Sequence, residues 1–408
     1  MDVCERSCGQ CIVKLLFNLQ SMVGARSGIG IYTHQLMDAL LGKPELTDLA
    51  GFIGQSVLQG DSLRRFLLQG DAVPLIATQS TNNVRLKESI KRIARAIPGA
   101  YPIRAAVRDW QGARILKPFG WSDFIYHEPN YVPVSYPGNM VITVHDLSHI
   151  RFPEFHPSER VAFMNGRLQS AINRADFIVT DSAFVKNEIL DIFPVSEGKV
   201  MVTHLGVDEA FHPRSEIETR DTLRQFNLSY RGFVLSVGTL EPRKNLERLL
   251  SAYAALPEDI RRDYPLVLAG GGGWNDSDLQ RQIQQMERQG QVIRTGYLPR
   301  AQILDLYASA AVFAYPSIYE GFGLPVLEGF ASGTPVLTSN VTSMPEVSEG
   351  AALEVNPLSV DEIRHGLFSL LDDSALRSRH MQLGLERVQA FTWAKCAEQT
   401  MAVYKQLG

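Results

Sequence analysis

The chain has 408 residues, enough for two to three domains of ordinary size. Hydrophobic residues make up 45% and charged residues 21%, which excludes collagen-like, mucin-like and wholly disordered chains. Lys and Arg number 40 against 44 Asp and Glu, a net charge of −4 that argues against a globally basic nucleic-acid binder.

The first predicted element is a buried strand in the apolar run Ile12 to Leu19. A glycine-bearing turn follows, Gly24-Ala25-Arg26-Ser27-Gly28-Ile29-Gly30, and a helical pattern starts at Ile31 with Leu36, Ala39 and Leu40 on one face. Strand, glycine turn and helix open a βαβ unit. Further strands are expected at Ala50–Ile53, Asp123–Tyr126, Met140–Val144, Asp176–Thr180 and Lys199–Thr203, with a helix from Ser158 to Ala175. The second half restarts the pattern. Strands are expected at Phe233–Val237, Leu266–Ala269, Val292–Thr295, Val312–Tyr315 and Pro335–Thr338, with an amphipathic helix from Asn245 to Ala255. The tail from Phe391 to Tyr404 reads as a last amphipathic helix. Strands and helices alternating twice over imply two parallel-sheet α/β domains, with the change between them near Asp208 to Arg214. Two such domains leave a cleft, the default place for a ligand.

No run long and apolar enough for a membrane helix occurs, and Lys14 interrupts the only N-terminal candidate for a signal-peptide core. The expected location is the cytoplasm. Four cysteines provide no disulfide framework. Cys4, Cys8 and Cys11 have a C-x3-C-x2-C spacing that resembles the cluster motif of radical S-adenosylmethionine enzymes. They precede the first strand in a chain that otherwise reads differently, and are taken as a frayed tail. The segment Arg85 to Lys117 carries nine basic residues against two acidic ones, with an apolar stripe at Ile90, Ile93, Ala94 and Ile97. That composition fits a surface resting on anionic lipid, against the plainer reading of a solvated helix face.

The chemistry concentrates after predicted strands. Pro316 to Gly329 follows the strand Val312–Tyr315. Gly321 and Gly323 permit close backbone approach, Pro325 suits a helix's first turn, and the N–H groups at such a helix start hold phosphate. Glu320 stands before the helix and Glu328 within it, a carboxylate pair suited to the sugar hydroxyls and ribose diol of a sugar nucleotide. Arg243 and Lys244 follow the first strand of the second half, where adjacent cations suit a diphosphate leaving group. His145 ends a first-domain strand. Gly28 and Gly30 offer backbone to the donor from the same side. The only D-x-D, Asp276-Ser277-Asp278, reads as a polar turn, since Arg243 and Lys244 already supply the cations. Asp181 and Ser182 read as a helix cap.

Glu320 and Glu328 match the E-x7-E motif of the family 4 retaining glycosyltransferases, and the resemblance runs along nearly the whole chain. It includes Gly28 to Gly30, His145, Thr180-Asp181-Ser182, Gly206-Val207-Asp208, Glu241 to Asn245, Gly296-Tyr297-Leu298 and Pro316 to Glu328. The resemblance implies the GT-B fold, two Rossmann-like domains facing across a cleft: an acceptor domain at 1–208, a donor domain at 209–390, and a C-terminal helix at 391–408 packing back on the first domain. It implies that Arg243 and Lys244 bind the donor diphosphate and that Glu320 contacts the donor sugar. The N–H groups of Gly321, Phe322, Gly323 and Leu324 would hold sugar and phosphate oxygens. Glu328 would bind the ribose, Tyr297 and Leu298 would lie at the base, and His145 would stabilise the transition state. No metal or other cofactor is implied.

The stretches Val144 to His149 and Pro153 to Pro157 look like bacterial mannosyltransferases of polysaccharide assembly. They point to GDP-mannose as donor and to a lipid-linked oligosaccharide at the inner membrane face as acceptor, with no nucleic acid. GDP-rhamnose or UDP-glucose as donor, a phosphorylase or epimerase on the same fold, and a non-catalytic nucleotide-sugar-binding subunit stay open as alternatives.

Overall fold

The structure is a computed structural model and describes residues 12–23, 28–54, 56–68, 114, 116, 121–271 and 277–408. Cys4, Cys8 and Cys11, Gly24 to Ser27, Asp276, and the basic segment save Arg114 and Leu116 lie outside those residues. The chain divides into two compact units. One comprises residues Met1–Asp181, Val185–Thr203 and Trp393–Gly408, and the other Ser182–Phe184 and His204–Thr392. The main change of unit thus falls between Thr203 and His204, where the sequence reading set it at 208.

The first unit holds a seven-stranded sheet in the order β3-β2-β1-β4-β5-β6-β7. Its strands are β1 (Val13–Asn18), β2 (Leu46–Ile53), β3 (Ser56–Gln59), β4 (Ile125–Glu128), β5 (Met140–Thr143), β6 (Phe177–Thr180) and β7 (Val200–Val202). All pair in parallel except β3, which returns antiparallel to β2 after Gly54 (φ +56°), so this sheet is mixed rather than wholly parallel. A glycine is required at such a reversal because other residues enter the left-handed region at a cost. The central strands are buried and nearly continuous in apolar residues, as both faces are covered by helices.

Gly28 and Gly30 sit in the first turn of the helix Gly28–Leu40, not in a turn preceding it. That helix packs on the helix Trp393–Tyr404, so residues from the far end of the chain complete the first unit's core. A buried polar chain joins the two helices to the sheet. The Tyr32 hydroxyl lies 3.0 Å from Thr143 Oγ1, which lies 2.7 Å from His127 Nε2, and His127 Nδ1 pairs with the Tyr404 hydroxyl. Burial, reinforced by the nearby His145 charge, pushes His127 down to about 3, so it stays neutral and serves both neighbours as one donor and one acceptor.

The second unit holds a six-stranded, wholly parallel sheet in the order β10-β9-β8-β11-β12-β13. Its strands are β8 (Val234–Val237), β9 (Leu266–Ala269), β10 (Val292–Gly296), β11 (Val312–Tyr315), β12 (Val336–Ser339) and β13 (Leu353–Val355). Val234, Leu266, Val312 and Leu337 pack with Leu249, Leu250 and Tyr253 of the helix Leu246–Ala254 and with Ile363, Leu367 and Leu370 of the helix Val360–Asp372. The strand order reverses between β8 and β11. Loops leaving those two strands diverge to opposite faces and open a crevice at the carboxyl edge of the sheet.

Candidate active site

The two loops at this crevice carry the charged residues singled out in the sequence. The loop after β8 holds Glu241, Arg243 and Lys244, and the loop after β11 holds Glu320. Two ties lock the loops together. Asn245, buried and left-handed at φ +61°, donates from Nδ2 to the Pro316 carbonyl at 2.9 Å and to the Pro357 carbonyl at 2.6 Å. Ile318 N–H donates to the Arg243 carbonyl at 2.8 Å. On the far side, the Ser343 hydroxyl reaches the carbonyls of Glu320 and Phe322 at 2.9 and 2.8 Å.

So held, one carboxylate meets two cations. Arg243 Nη1 donates to Glu320 Oε2 and Lys244 Nζ to Glu320 Oε1, each at 2.7 Å. The Tyr315 hydroxyl donates to the same Oε1 at 2.9 Å and also pairs with Lys244 Nζ. Arg243 Nε is oriented from behind by Glu241 at 2.9 Å, itself bound by the Thr239 hydroxyl at 2.8 Å. Burial alone would raise the Glu320 carboxyl, but the Arg243 and Lys244 charges outweigh it and hold it down at about 2. Lys244 moves the other way. Its burial and the adjacent Arg243 charge outweigh the pull of Glu320 and lower its ammonium below the ordinary value. The asymmetry is physical: two cations act together on the carboxylate, whereas the anions Glu320 and Glu241 act on the lysine against burial and a competing cation.

Past Glu320, the chain turns at Gly323 (φ +116°) into the helix Leu324–Ala331, with Pro325 in its first turn. A side chain at Gly323 would be strained by that φ and would meet Met344 Cε at 2.4 Å. Gly321, Phe322, Gly323 and Leu324 thus bring backbone to the helix N-terminus, where N–H groups lack intrahelical acceptors and the dipole favours an anion. Glu328 stands half-buried further along the helix. Burial raises its carboxyl to about 7, helped by Asp208 and opposed by the nearby Tyr307 hydroxyl and then by the Arg300 charge.

A cavity of about 540 Å³ opens beside this cluster. Lys244 and Tyr315 belong to its wall, together with Gly238, Gly270 and Gly296 at the ends of β8, β9 and β10. Gly296 lines it, but the two residues assigned to the base do not. Tyr297 is 77% exposed and Leu298 is buried. Asp278, the described half of the D-x-D carboxylate pair, opens the helix Ser277–Arg288 and bridges to Arg281.

In the first unit, His145 follows β5 with both ring nitrogens engaged. Nδ1 lies 2.7 Å from Asp181 Oδ2 and Nε2 lies 2.9 Å from the Pro129 carbonyl. Both partners are acceptors, so both bonds form only on the imidazolium. Burial opposes that charge, yet Asp181 and the Pro129 carbonyl raise the pKa above its ordinary value. Asp181, expected as a helix cap, accepts from His145 and so orients its ring.

Sequence reasoning missed Tyr315, Asn245 and Ser343 as supports of the site. Tyr315 lay in a strand and read as core. Asn245 carried a signal, an Asn just ahead of a helix, but its two carbonyl partners are distant in sequence.

The architecture of each unit and the charged crevice define the class. The fold matches sucrose-phosphate synthase from Thermosynechococcus elongatus with a TM-score of 0.71 at 19% identity, over 97% of this chain and 99% of that one. It matches WaaG, a glycosyltransferase involved in lipopolysaccharide biosynthesis, with a TM-score of 0.69 at 15% identity, over 96% and 99%. This is the GT-B architecture of two α/β units. Residues 64–211 match the model for Glycosyltransferase Family 4, and residues 219–385 match that for Glycosyl transferases group 1. The O-antigen chain mannosyltransferase B of Escherichia coli is 35% identical over 399 residues, covering 97% of this chain and all of that one. The chain belongs to glycosyltransferase family 4.

Proposed function

We propose that this protein is a retaining mannosyltransferase. It moves mannose from GDP-mannose to a hydroxyl of a lipid-linked oligosaccharide during polysaccharide assembly, at the inner face of the cytoplasmic membrane. The observation that carries the reaction class is the crevice in which Arg243, Lys244 and the N-terminus of the helix Leu324–Ala331 converge around Glu320. The choice of mannose and of a polysaccharide acceptor rests on the likeness to the O-antigen mannosyltransferase. Among the described residues no helix is long and apolar enough to cross a membrane; the proposed attachment is peripheral, through the basic composition of Arg85 to Lys117.

In this reading the bond between the sugar C1 and the diphosphate oxygen breaks as the acceptor oxygen bonds to C1. Negative charge grows on the diphosphate, and Arg243, Lys244 and the helix N–H groups meet it without reorganisation. The acceptor proton passes to the departing phosphate oxygen on the same face, which preserves the anomeric configuration. Glu320 holds both cations extended and offers its carboxylate to the sugar hydroxyls. Glu328 accepts the ribose hydroxyls, and His145, as an imidazolium, stabilises the transition state.

The test is an assay of the full chain with GDP-mannose and a lipid-linked oligosaccharide. GDP release that depends on the acceptor, with an α-linked product, is the expected result. Turnover that requires inorganic phosphate in place of the acceptor would move the protein to the phosphorylases. Lys244→Ala removes one charge-assisted contact and weakens GDP binding about 10- to 150-fold. Unaltered GDP affinity would remove Lys244 from the diphosphate site.

The raised Glu328 carboxyl has a pH signature. If only the ionised form accepts the ribose hydroxyls, binding is complete above its pKa of about 7 and declines as pH falls through it. GDP affinity then drops about tenfold between pH 8 and pH 6 through this group. Calorimetric titration of the native protein beside Glu328→Gln separates this from titration of the nucleotide itself. Parallel pH profiles for the two proteins would refute the role.

A further inference from the structure

We propose that Arg294 reads the base of the donor nucleotide and that the base it selects is guanine, an assignment that rests on the nucleotide-sugar reading above. The cavity beside Lys244 is built for a flat group. Three adjacent parallel strands, β8, β9 and β10, each finish in a glycine at positive φ: Gly238 at +153°, Gly270 at +151° and Gly296 at +70°. All three glycines line the cavity, so three strand ends present backbone in place of side chains. Lys244 belongs to the same wall, and its ammonium is bonded to Glu320. A ligand with its diphosphate at Lys244 therefore extends its remaining part among these glycines.

Arg294 and Gln280 complete the polar lining there. Gln280 Oε1 accepts from Arg294 Nη1 at 2.7 Å, and Glu287 Oε2 accepts from Nη2 at 3.3 Å. These two acceptors, both on the helix Ser277–Arg288, fix the plane of the guanidinium. Each terminal nitrogen carries two N–H groups, so among the described residues one on each is left for a ligand, and the fork is pre-set. Guanine places two acceptors, N7 and O6, side by side and takes such a fork in two bonds. Adenine sets its N6 donor beside N7. Uracil sets its N3–H beside O4. Each of these two meets the fork with one bond and one opposed donor, so the discrimination is against adenine and uracil; cytosine also sets two acceptors, N3 and O2, side by side.

Calorimetric titration of the full chain with GDP, UDP and ADP tests this, using the native protein, Arg294→Met and Arg294→Lys. The native protein is expected to prefer GDP. Arg294→Met lowers GDP affinity about 5- to 150-fold and leaves UDP affinity unchanged, so the preference collapses. Arg294→Lys keeps the charge but lacks the planar fork, and loses the preference equally. An Arg294→Met protein that still prefers GDP overturns the proposal, as does a native protein that prefers UDP or ADP. Lys244→Ala separates the two levels of the argument. If it weakens GDP binding while Arg294→Met does not, only the base assignment fails. If the native protein binds none of the three nucleotides, the nucleotide-sugar reading fails and takes this assignment with it.

Discussion

Glu320→Gln is expected to lower transferase turnover about 100- to 1,000-fold while leaving the protein folded. The amide keeps the shape of the carboxylate but abolishes the charge on which Arg243 and Lys244 converge. Lys244 suffers most. Glu320 is the largest influence raising its ammonium against burial, so without it the pKa falls further and the fraction of neutral amine grows. Arg243 stays charged and keeps Glu241, so diphosphate binding is weakened less than turnover. The measurement is kcat and KM for the donor, with thermal unfolding as the control for folding. Native turnover in Glu320→Gln would mean that the carboxylate is only a structural partner of two largely buried cations. The sugar-contacting group would then have to be found elsewhere.

Gly270→Ala is the second large effect, and it acts on the backbone. A methyl group there would lie 2.0 Å from the Gly238 carbonyl oxygen, and the residue sits at φ +151°. Neither problem can be relieved by rotating a side chain, because the obstacle is main chain. The ends of β8 and β9 must move apart at a cost of about 2–4 kcal/mol, a lowering of Tm by roughly 5–15 °C. The same movement distorts the cavity, so nucleotide binding is lost with stability. The neighbouring Gly271 is the control, since a methyl group there meets nothing within 4 Å. Equal unfolding temperatures for the two alanine variants would show that the close approach of the two loops is not constrained as described.

Most strands of both sheets were legible because each is a short apolar run ended by glycine, proline or a polar residue, but the edge strand β13 (Leu353–Val355), three residues long, was not. Leu266–Ala269 and Val312–Tyr315 fall where the pattern places them. The antiparallel β3 was not legible. Ser56–Gln59 is half-exposed at the sheet edge and lacks the apolar run that marks a central strand. Gly28 and Gly30 misled for a related reason. Glycine is read as a turn, yet here the helix begins with it. At the site, the charged members were readable from residue type and order after strands. Their supports were not. Tyr315 looks like any buried strand aromatic, and nothing local shows that its hydroxyl meets Glu320 from the same loop's far end. Asp181 and His145 are separated by a helical passage and the strand β6, so only the pairing of β5 with β6 brings them together.

The first unit is written in pieces. Its sheet comes from the beginning of the chain, but its core is closed by the helix Trp393–Tyr404, with Cys396, Ala397 and Met401 buried and Tyr404 bonded to His127. During synthesis the second unit, nearly all of it in the continuous stretch His204–Thr392, leaves the ribosome before that helix does. The nascent first unit must wait with the polar chain of His127 and Thr143 lacking its terminal partner and with the apolar face of the helix Gly28–Leu40 uncovered. The usual amino-to-carboxyl order of maturation is reversed. The half of the molecule made first is the last to receive all of its residues, and a chain cut short within the second unit leaves the first without the helix that covers its core.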